Sequence, residues 1–189
     1  METKETAYLK LFKDVAAKIN SSLDIADVLA SMAEGAVKTM KVKGCAIFLL
    51  DWKEKTLRLS AASGLSDAFL NKGPVDADKS IKETLRGRRV LVINAARDDR
   101  VQYPGALQKE GIASILSVPI STRQKIIGVL RIYAAEAREF SDVEYQFIEG
   151  LAEIGGLGIE NARLYQHLKS DYERLMTDVH QWFDYGRVR

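Results

Sequence analysis

Apolar and polar residues alternate most regularly between positions 114 and 134, SILSVPISTRQKIIGVLRIYA, and this stretch predicts a β-hairpin. Ile115, Ser117 and Pro119 alternate with Leu116, Val118 and Ile120. After a polar turn at 121–125, Ile127, Val129, Arg131 and Tyr133 alternate with Ile126, Gly128, Leu130, Ile132 and Ala134. One face is continuously apolar and the other carries Ser117, Arg131 and Tyr133, the pattern of two strands inside an antiparallel sheet. Pro119 has no N–H for the ladder, so it belongs at the end or edge of its strand.

The rest of the chain groups around this hairpin. Tyr8, Leu11, Phe12, Val15, Ala16 and Ile19 recur at helical spacing over 6–20. A break at 21–23 leads to Asp24 as the N-cap of a second helix, whose buried stripe is Ile25, Val28, Leu29, Met32, Ala36, Val37 and Met40. Residues 45–50 and 56–62 read as strands around a turn at 51–55, and 64–73 as a loop or short helix. Asp78 is placed to cap a helix over 79–86 that Gly87 stops. A short strand at 90–94 and a polar loop at 95–103 follow, then a helical turn from Pro104 to Gly111. Ser141 and Glu144 form a capping box, with Phe140 and Tyr145 as its hydrophobic staple. From there only glycine interrupts the helical pattern before Gly186, so the last helix is expected to run ~40 residues, or ~60 Å. The elements together describe an α+β domain.

With 47% hydrophobic and 29% charged residues over 189 positions, the chain is expected to bury a core as one domain with an appendage. A formal charge of +2 gives no reason to expect nucleic acid. No apolar run approaches the ~20 residues of a membrane span, and the charged start METKETAYLKLFKD lacks the apolar core of a secretory signal. One cysteine cannot form an internal disulfide. The expectation is a soluble, cytoplasmic protein with no membrane or nucleic-acid partner.

In order along the chain, SSLDIADVLASMAEGAVKTM, CAIFLLD, LRLSAASGL, RRVLVINAARDDRV, EGIASILSVPI with IIGVLRIYA, and FSDVEYQFIEGLAEIGGLGIENARLYQHL resemble a GAF domain, the small-molecule sensor module related to PAS. The resemblance covers roughly residues 8–168. It implies a central antiparallel sheet of about six strands, N- and C-terminal helices packed on one face, and a ligand pocket under loops on the other. It also implies the organisation 1–21 as an amphipathic helix, 22–162 as the sensor domain and 163–189 as an extension of the exit helix. The chain departs from the family near residue 80, where VDADKSIKETL replaces a Gly-rich turn. Of the dispersed Asn-Lys-Phe-Asp-Glu set of cyclic-nucleotide binders only Asn94 finds a place, so cyclic nucleotide is not the expected ligand.

Enzymatic chemistry is poorly supplied. Free methionine sulfoxide reductases share the resemblance but use several cysteines, whereas Cys45 stands alone in an apolar strand that disfavours thiolate. It is also in the wrong region to attach a bilin. His167 and His180 lie about 220° apart around a helix and cannot share a face, so no metal site is expected, with haem held through one of them left as the less favoured alternative. The basic run Arg86-Gly87-Arg88-Arg89 reads as a solvated helix-to-strand turn in preference to a phosphate contact. No phosphate-binding or dinucleotide fingerprint occurs, and no cofactor is identified. The most pocket-like stretch is NAARDDRVQY at 94–103, which offers Asn94, Arg97, Asp98, Asp99 and Tyr103. Its alternative is an ordinary connection in which Asp98 and Asp99 cap the next turn. Ser114, Ser117 and Tyr133 are the residues expected to join the pocket from the hairpin.

In the tail, Leu151, Ile154, Gly158, Asn161, Tyr165, Leu168, Tyr172, Leu175, Val179 and Trp182 repeat at alternating steps of three and four, roughly five heptads of a coiled-coil seam. Up to about residue 162 the helix is expected to pack on its own domain; beyond, the stripe predicts a parallel homodimer, with Gly158 and Asn161 onward as its contact. The reading is therefore a non-enzymatic GAF-type ligand-binding regulatory module, dimerising through terminal helices and binding a small molecule of unknown identity. A protein-interaction adaptor with a vestigial pocket, serving a signalling partner, and a sulfoxide-reductase-like enzyme are the rivals.

Overall fold

A computed structural model of the chain describes residues 3–21, 24–51, 56–73, 75–76, 82–123 and 125–186, with side chains through residue 177. The elements are α1 (Lys4–Ser21), α2 (Ile25–Met40), β1 (Gly44–Asp51), β2 (Thr56–Ser63), α3 (Asp67–Leu70) and β3 (Val75–Asp76). A 3-10 turn (Thr84–Arg86), β4 (Val90–Ile93), a second 3-10 turn (Ala95–Arg97), α4 (Pro104–Glu110), β5 (Ser114–Thr122), β6 (Lys125–Ala134) and α5 (Asp142–Gly186) complete the order. The expected turn residues 52–55, the cap at Asp78 with the start of its helix, the break at 22–23, and the side chains of Val179, His180 and Trp182 lie outside the described residues.

The six strands form one antiparallel sheet in the order β3-β2-β1-β6-β5-β4, so the predicted hairpin does sit inside it. Its turn is tighter than the sequence suggests. Ser121 pairs with Ile126 and Thr122 with Lys125, so the polar residues belong to the ladder, and Arg123 takes a positive φ of 38°. A two-residue hairpin loop needs such a twist, and polarity alone does not reveal it.

Side-chain alternation divides the interior into two layers. Leu116, Val118, Ile120, Leu130 and Ile132 face a core shared with Val28, Leu29, Met32 and Ala36 of α2 and with Ile148, Leu151 and Ala152 of α5. α1 joins this layer through Tyr8, stacked on Phe147 at 4.0 Å. Ala46, Phe48, Ile115, Val129 and Tyr133 face the other way, toward Phe69, Val75, Ala95 and Leu107 from the connecting segments. Among the described residues no helix is long and apolar enough to cross a membrane.

Helix starts follow their caps. Asp24 accepts the Ala26 amide at 2.8 Å to open α2, and Gly111, at φ 72°, ends α4. At α5 the capping box is complete: Ser141 Oγ accepts the Glu144 amide at 3.3 Å, and Glu144 Oε2 accepts the Ser141 amide at 2.9 Å. Arg138 Nη2 donates to Glu144 Oε1 at 2.6 Å. Burial opposes charge on Glu144, but the Ser141 amide and the Arg138 guanidinium outweigh it and hold the carboxyl below its ordinary value. The resulting stabilisation is present above the ordinary glutamate range and is lost as pH falls through the lower folded value. Glu144→Ala is expected to lower stability by roughly 2–3 kcal/mol at neutral pH, with a smaller loss in acid. Urea denaturation at two pH values checks this, and an equal loss at both would contradict it.

Candidate functional site

Across the middle of the sheet, on the face away from α2 and α5, one row of paired residues runs Ala62, Ala46, Arg131, Ser117, Val90. The alanines and serine beside Arg131 are short, so the long guanidinium side chain lies in a trough between taller neighbours. Arg131 is only 6% exposed and donates from Nε to Ser117 Oγ at 3.2 Å. The next row places Tyr133 between Gly44 and Ile115. Tyr133 is fully buried, its ring edge-on to Phe69 at 5.5 Å. Burial raises its phenol pKa, although Arg131 acts against the shift, so it stays neutral.

Three segments roof these rows. α3 supplies Phe69, and Lys72 follows it, its ammonium donating to the Phe69 carbonyl at 3.0 Å and lying 3.7 Å from the Phe69 ring centroid. Burial, reinforced by the charge of Arg131 and opposed by Glu110, lowers the Lys72 pKa to about 8. The 101–103 stretch supplies Val101, Gln102 and Tyr103, and α4 supplies Leu107. Gln102 latches this roof to β3: its Oε1 accepts the Asp76 amide at 2.9 Å and its Nε2 donates to Tyr103 Oη at 3.1 Å. Tyr103 Oη fits against Gly73, where a Cβ would stand 2.7 Å away.

Between floor and roof lies a cavity of about 20 Å³ lined by Arg131, Tyr133, Ile115, Lys72, Gln102 and Tyr103, with apolar groups completing it. A second cavity of about 250 Å³ adjoins it past Lys72 and Val75 and is lined by Phe48, Leu57, Leu59 and Leu70 together with Arg58 and Gly73. A larger open groove of about 690 Å³ runs between α1 and α2 on the far side, lined largely by lysines and small residues.

The structure brings together Tyr103, Tyr133 and, through Arg131, Ser117 of the expected site residues. The others point elsewhere. Asn94 is an exposed residue in left-handed conformation (φ 54°), and Arg97 and Asp99 are exposed. Asp98 accepts the Arg100 amide at 2.9 Å and pairs with its guanidinium at 2.6 Å, the local turn-capping alternative. Ser114 lies on the opposite face of β5, donating to the Glu136 carbonyl at 2.9 Å and accepting the Arg138 amide at 3.0 Å. Sequence reasoning missed Lys72, Gln102 and Arg131 as site residues. A lone arginine within IIGVLRIYA was the available signal; Lys72 gave none.

Two other expectations concern surface charge and the thiol. Arg86 and Arg88 both pair with Glu83, and Arg89 with Glu149, at the surface. Cys45 is fully buried in β1, and burial pushes its thiol pKa up.

α5 leaves the domain as a single helix. Its first half packs down closely: a Cβ at Gly156 would stand 2.2 Å from the Ser121 carbonyl oxygen of β5, and one at Gly158 3.0 Å from Ile19 of α1. Gly158 therefore admits a helix of its own chain. Among the described side chains Ala162 is the last that is buried, and all of those from 163 to 177 are exposed. Leu168, Tyr172 and Leu175 are 70%, 62% and 60% exposed, with Asn161 and Tyr165 on the same stripe.

The sequence pattern of the GAF domain family matches residues 22–160. A methyl sulfide methyltransferase-associated sensor from Methanosarcina acetivorans is 27% identical over 184 residues, which is 93% of this chain but 18% of that protein. The chain thus spans less than a fifth of the length of this curated relative. Among solved structures, the GAF domain of an Acinetobacter phosphoenolpyruvate-protein phosphotransferase superposes with a TM-score of 0.71 at 28% identity, covering 82% of this chain and 94% of that one. The corresponding Coxiella burnetii domain gives 0.75 at 19% identity, over 85% and 96%. Free methionine-R-sulfoxide reductase from Neisseria meningitidis, solved with its substrate, gives 0.70 at 17% identity, over 84% and 91%, and shares the fold alone.

Proposed function

The chain belongs to the GAF domain family, and from that premise we propose that it is a non-enzymatic regulatory module that senses a small molecule on the roofed face of its sheet. The observation that carries this is the position of Arg131 and Tyr133, buried polar groups on a hairpin that serves both layers. Side chains at 115, 117, 131 and 133 face the cavity, and those at 116, 118, 130 and 132 face the helices. A ligand that moves Arg131 against Ser117 therefore strains the strand on which α5 rests. Entry requires the Gln102–Asp76 latch to open, so bound and free states differ in the roof as well as the floor. The Methanosarcina relative, itself a sensor, supports the sensory reading.

In this account α5 passes the change on as one half of a parallel homodimer seam through Tyr165, Leu168, Tyr172 and Leu175, with Val179 and Trp182 continuing it. Deuterium exchange of α5 amides with and without a small molecule found by thermal-shift screening tests the coupling. Slower exchange beyond residue 163 is expected on binding, and protection confined to the roof would overturn it.

A second reading has a specific observation behind it: a 20 Å³ space is about the size of one water, as in an interaction module whose pocket has closed for good. A screen without stabilising molecules, beside a protein partner that binds α5, would favour that reading. The enzymatic rival depends on Cys45. Cys45→Ser is expected to cost roughly 1–2 kcal/mol as a buried hydroxyl and to leave ligand response intact. Thiol-dependent reduction of free methionine sulfoxide by the wild type, lost in this variant, would establish the enzyme instead.

A further inference from the structure

We propose that the groove between α1 and α2 docks an acidic amphipathic helix of a partner protein. The groove lies on the far side of the sheet from the roofed cavity, so this inference does not rest on the sensing reading.

The two helices run antiparallel and touch closely. A Cβ at Gly35 would stand 2.2 Å from Leu11 Cδ1, and Lys18 Nζ donates to Ser31 Oγ, so a step forward along α1 matches a step back along α2. Above that contact the helices leave an open valley of about 690 Å³. It reaches from Lys4 to Lys18 along α1, ~21 Å at the rise of a helix. Lys4, Ala7, Leu11, Val15 and Lys18 recur at steps of three and four and so form one stripe of α1. Ser31, Gly35 and Lys38 do the same on α2. Two such stripes side by side present the furrow into which the ridge of a third helix packs.

Its chemistry divides by depth. Ala7, Leu11 and Gly35 are half-buried and Val15 is fully buried, which makes the floor apolar. Lys4, Lys10, Lys38 and Lys41 are exposed along the rim, and among the described residues none of them has an ion-pair partner. With Lys18 they set five cations against Asp14 and Glu34. A helix with a narrow apolar stripe flanked by carboxylates complements both levels. Each exposed charge pair contributes little alone, so recognition draws on the stripe and on several lysines together.

Other anionic partners fit less well. Asp14 and Glu34 face the groove midway along it and repel a continuous phosphate backbone, and its lining holds no arginine. A flat bilayer cannot reach a floor set between two helices. A partner helix with one central lysine between acidic ends matches the two acids as well as the rim.

The test uses a blocked, roughly 16-residue peptide with a leucine stripe, glutamates on both flanks and one central lysine. It is titrated against the protein and read on the methyl resonances of Ala7, Leu11 and Val15. The controls are the same peptide with its charges exchanged, a scrambled peptide of equal composition, single-stranded DNA, and vesicles containing phosphatidylglycerol. The acidic peptide is expected to shift these methyls saturably and to bind at least about tenfold more tightly than either control peptide. Raising NaCl from about 0.05 to about 0.5 M should weaken it several-fold. Lys10→Glu with Lys38→Glu, at two exposed positions, should weaken it at least about tenfold. The methyls of Ile115 and Val129, in the other layer, should stay in place and report an intact fold. Equal binding of the charge-exchanged peptide, or no loss in the double variant, would overturn the electrostatic assignment. Equal binding of the scrambled peptide would overturn the helical one. DNA or vesicles that move these methyls as strongly would overturn the choice of a protein partner, and no shift with any probe would overturn the proposal entirely.

Discussion

Replacing Gly156 with alanine is expected to destabilise the domain by about 2–4 kcal/mol, even though alanine favours a helix by ~1 kcal/mol over glycine. The added methyl would stand 2.2 Å from the Ser121 carbonyl oxygen, an approach that no real contact tolerates. That oxygen belongs to backbone, not to a flexible side chain. Ser121 is held in register with Ile126 beside a bulge, so neither β5 nor α5 can give way without disturbing the hairpin or lifting the helix from the core. Gly105, in α4, is the internal control, since a Cβ there meets nothing within 4 Å. Gly105→Ala should be neutral or slightly stabilising. Urea denaturation of the two variants checks the pair. If Gly156→Ala matches the wild type, the close seating of α5 on β5, and the coupling route built on it, is wrong.

The double variant Leu168→Asp with Leu175→Asp is expected to turn a dimer into a monomer. Both leucines lie past Ala162, where every described side chain through 177 is exposed. An unsupported helix of this length is marginal in water, and its row of Leu and Tyr gives it a face to bury. Seven residues apart, the two leucines share one heptad position, and a two-fold seam would bury four of them. Loss of ~1.5 kcal/mol or more at each, with carboxylates brought face to face, predicts at least a thousandfold weaker association. The sheet domain should keep its own cooperative transition, because the substituted side chains are 70% and 60% exposed in the single chain. Sedimentation velocity decides between outcomes. A wild-type monomer at micromolar concentration, or an unchanged dimer in the variant, removes the seam from the mechanism.

The sequence made the framework legible wherever structure depends on local chemistry. The alternation at 114–134, the Asp24 cap and the Ser141–Glu144 box each encode their element within a few residues; the two caps are found as read, and the hairpin is found with a shorter turn. β3, only Val75–Asp76, is too short for any periodicity to announce it. The site was less legible because its members come from distant segments. Ser114 and Ser117 look alike in sequence, yet they sit on opposite faces of β5, which alternation alone predicts once the helix-bearing face is known. Lys72 joins Arg131 only through the packing of α3 on the sheet, a tertiary fact without local signature. Gly158 reads as part of the dimer contact, but its place on the seam cannot distinguish Ile19 of the same chain, which it meets, from a residue of a second copy.

The central claim is that the roofed face of the sheet holds a small molecule. Native mass spectrometry of the chain after incubation with a protein-free small-molecule extract tests it most directly, alongside Val101→Trp, which fills the cavity from the roof and leaves the floor intact. The account predicts one adduct of fixed small mass per wild-type chain and its loss from the folded variant. Bare chain mass for the wild type, or the same adduct retained when the cavity is filled, would contradict it.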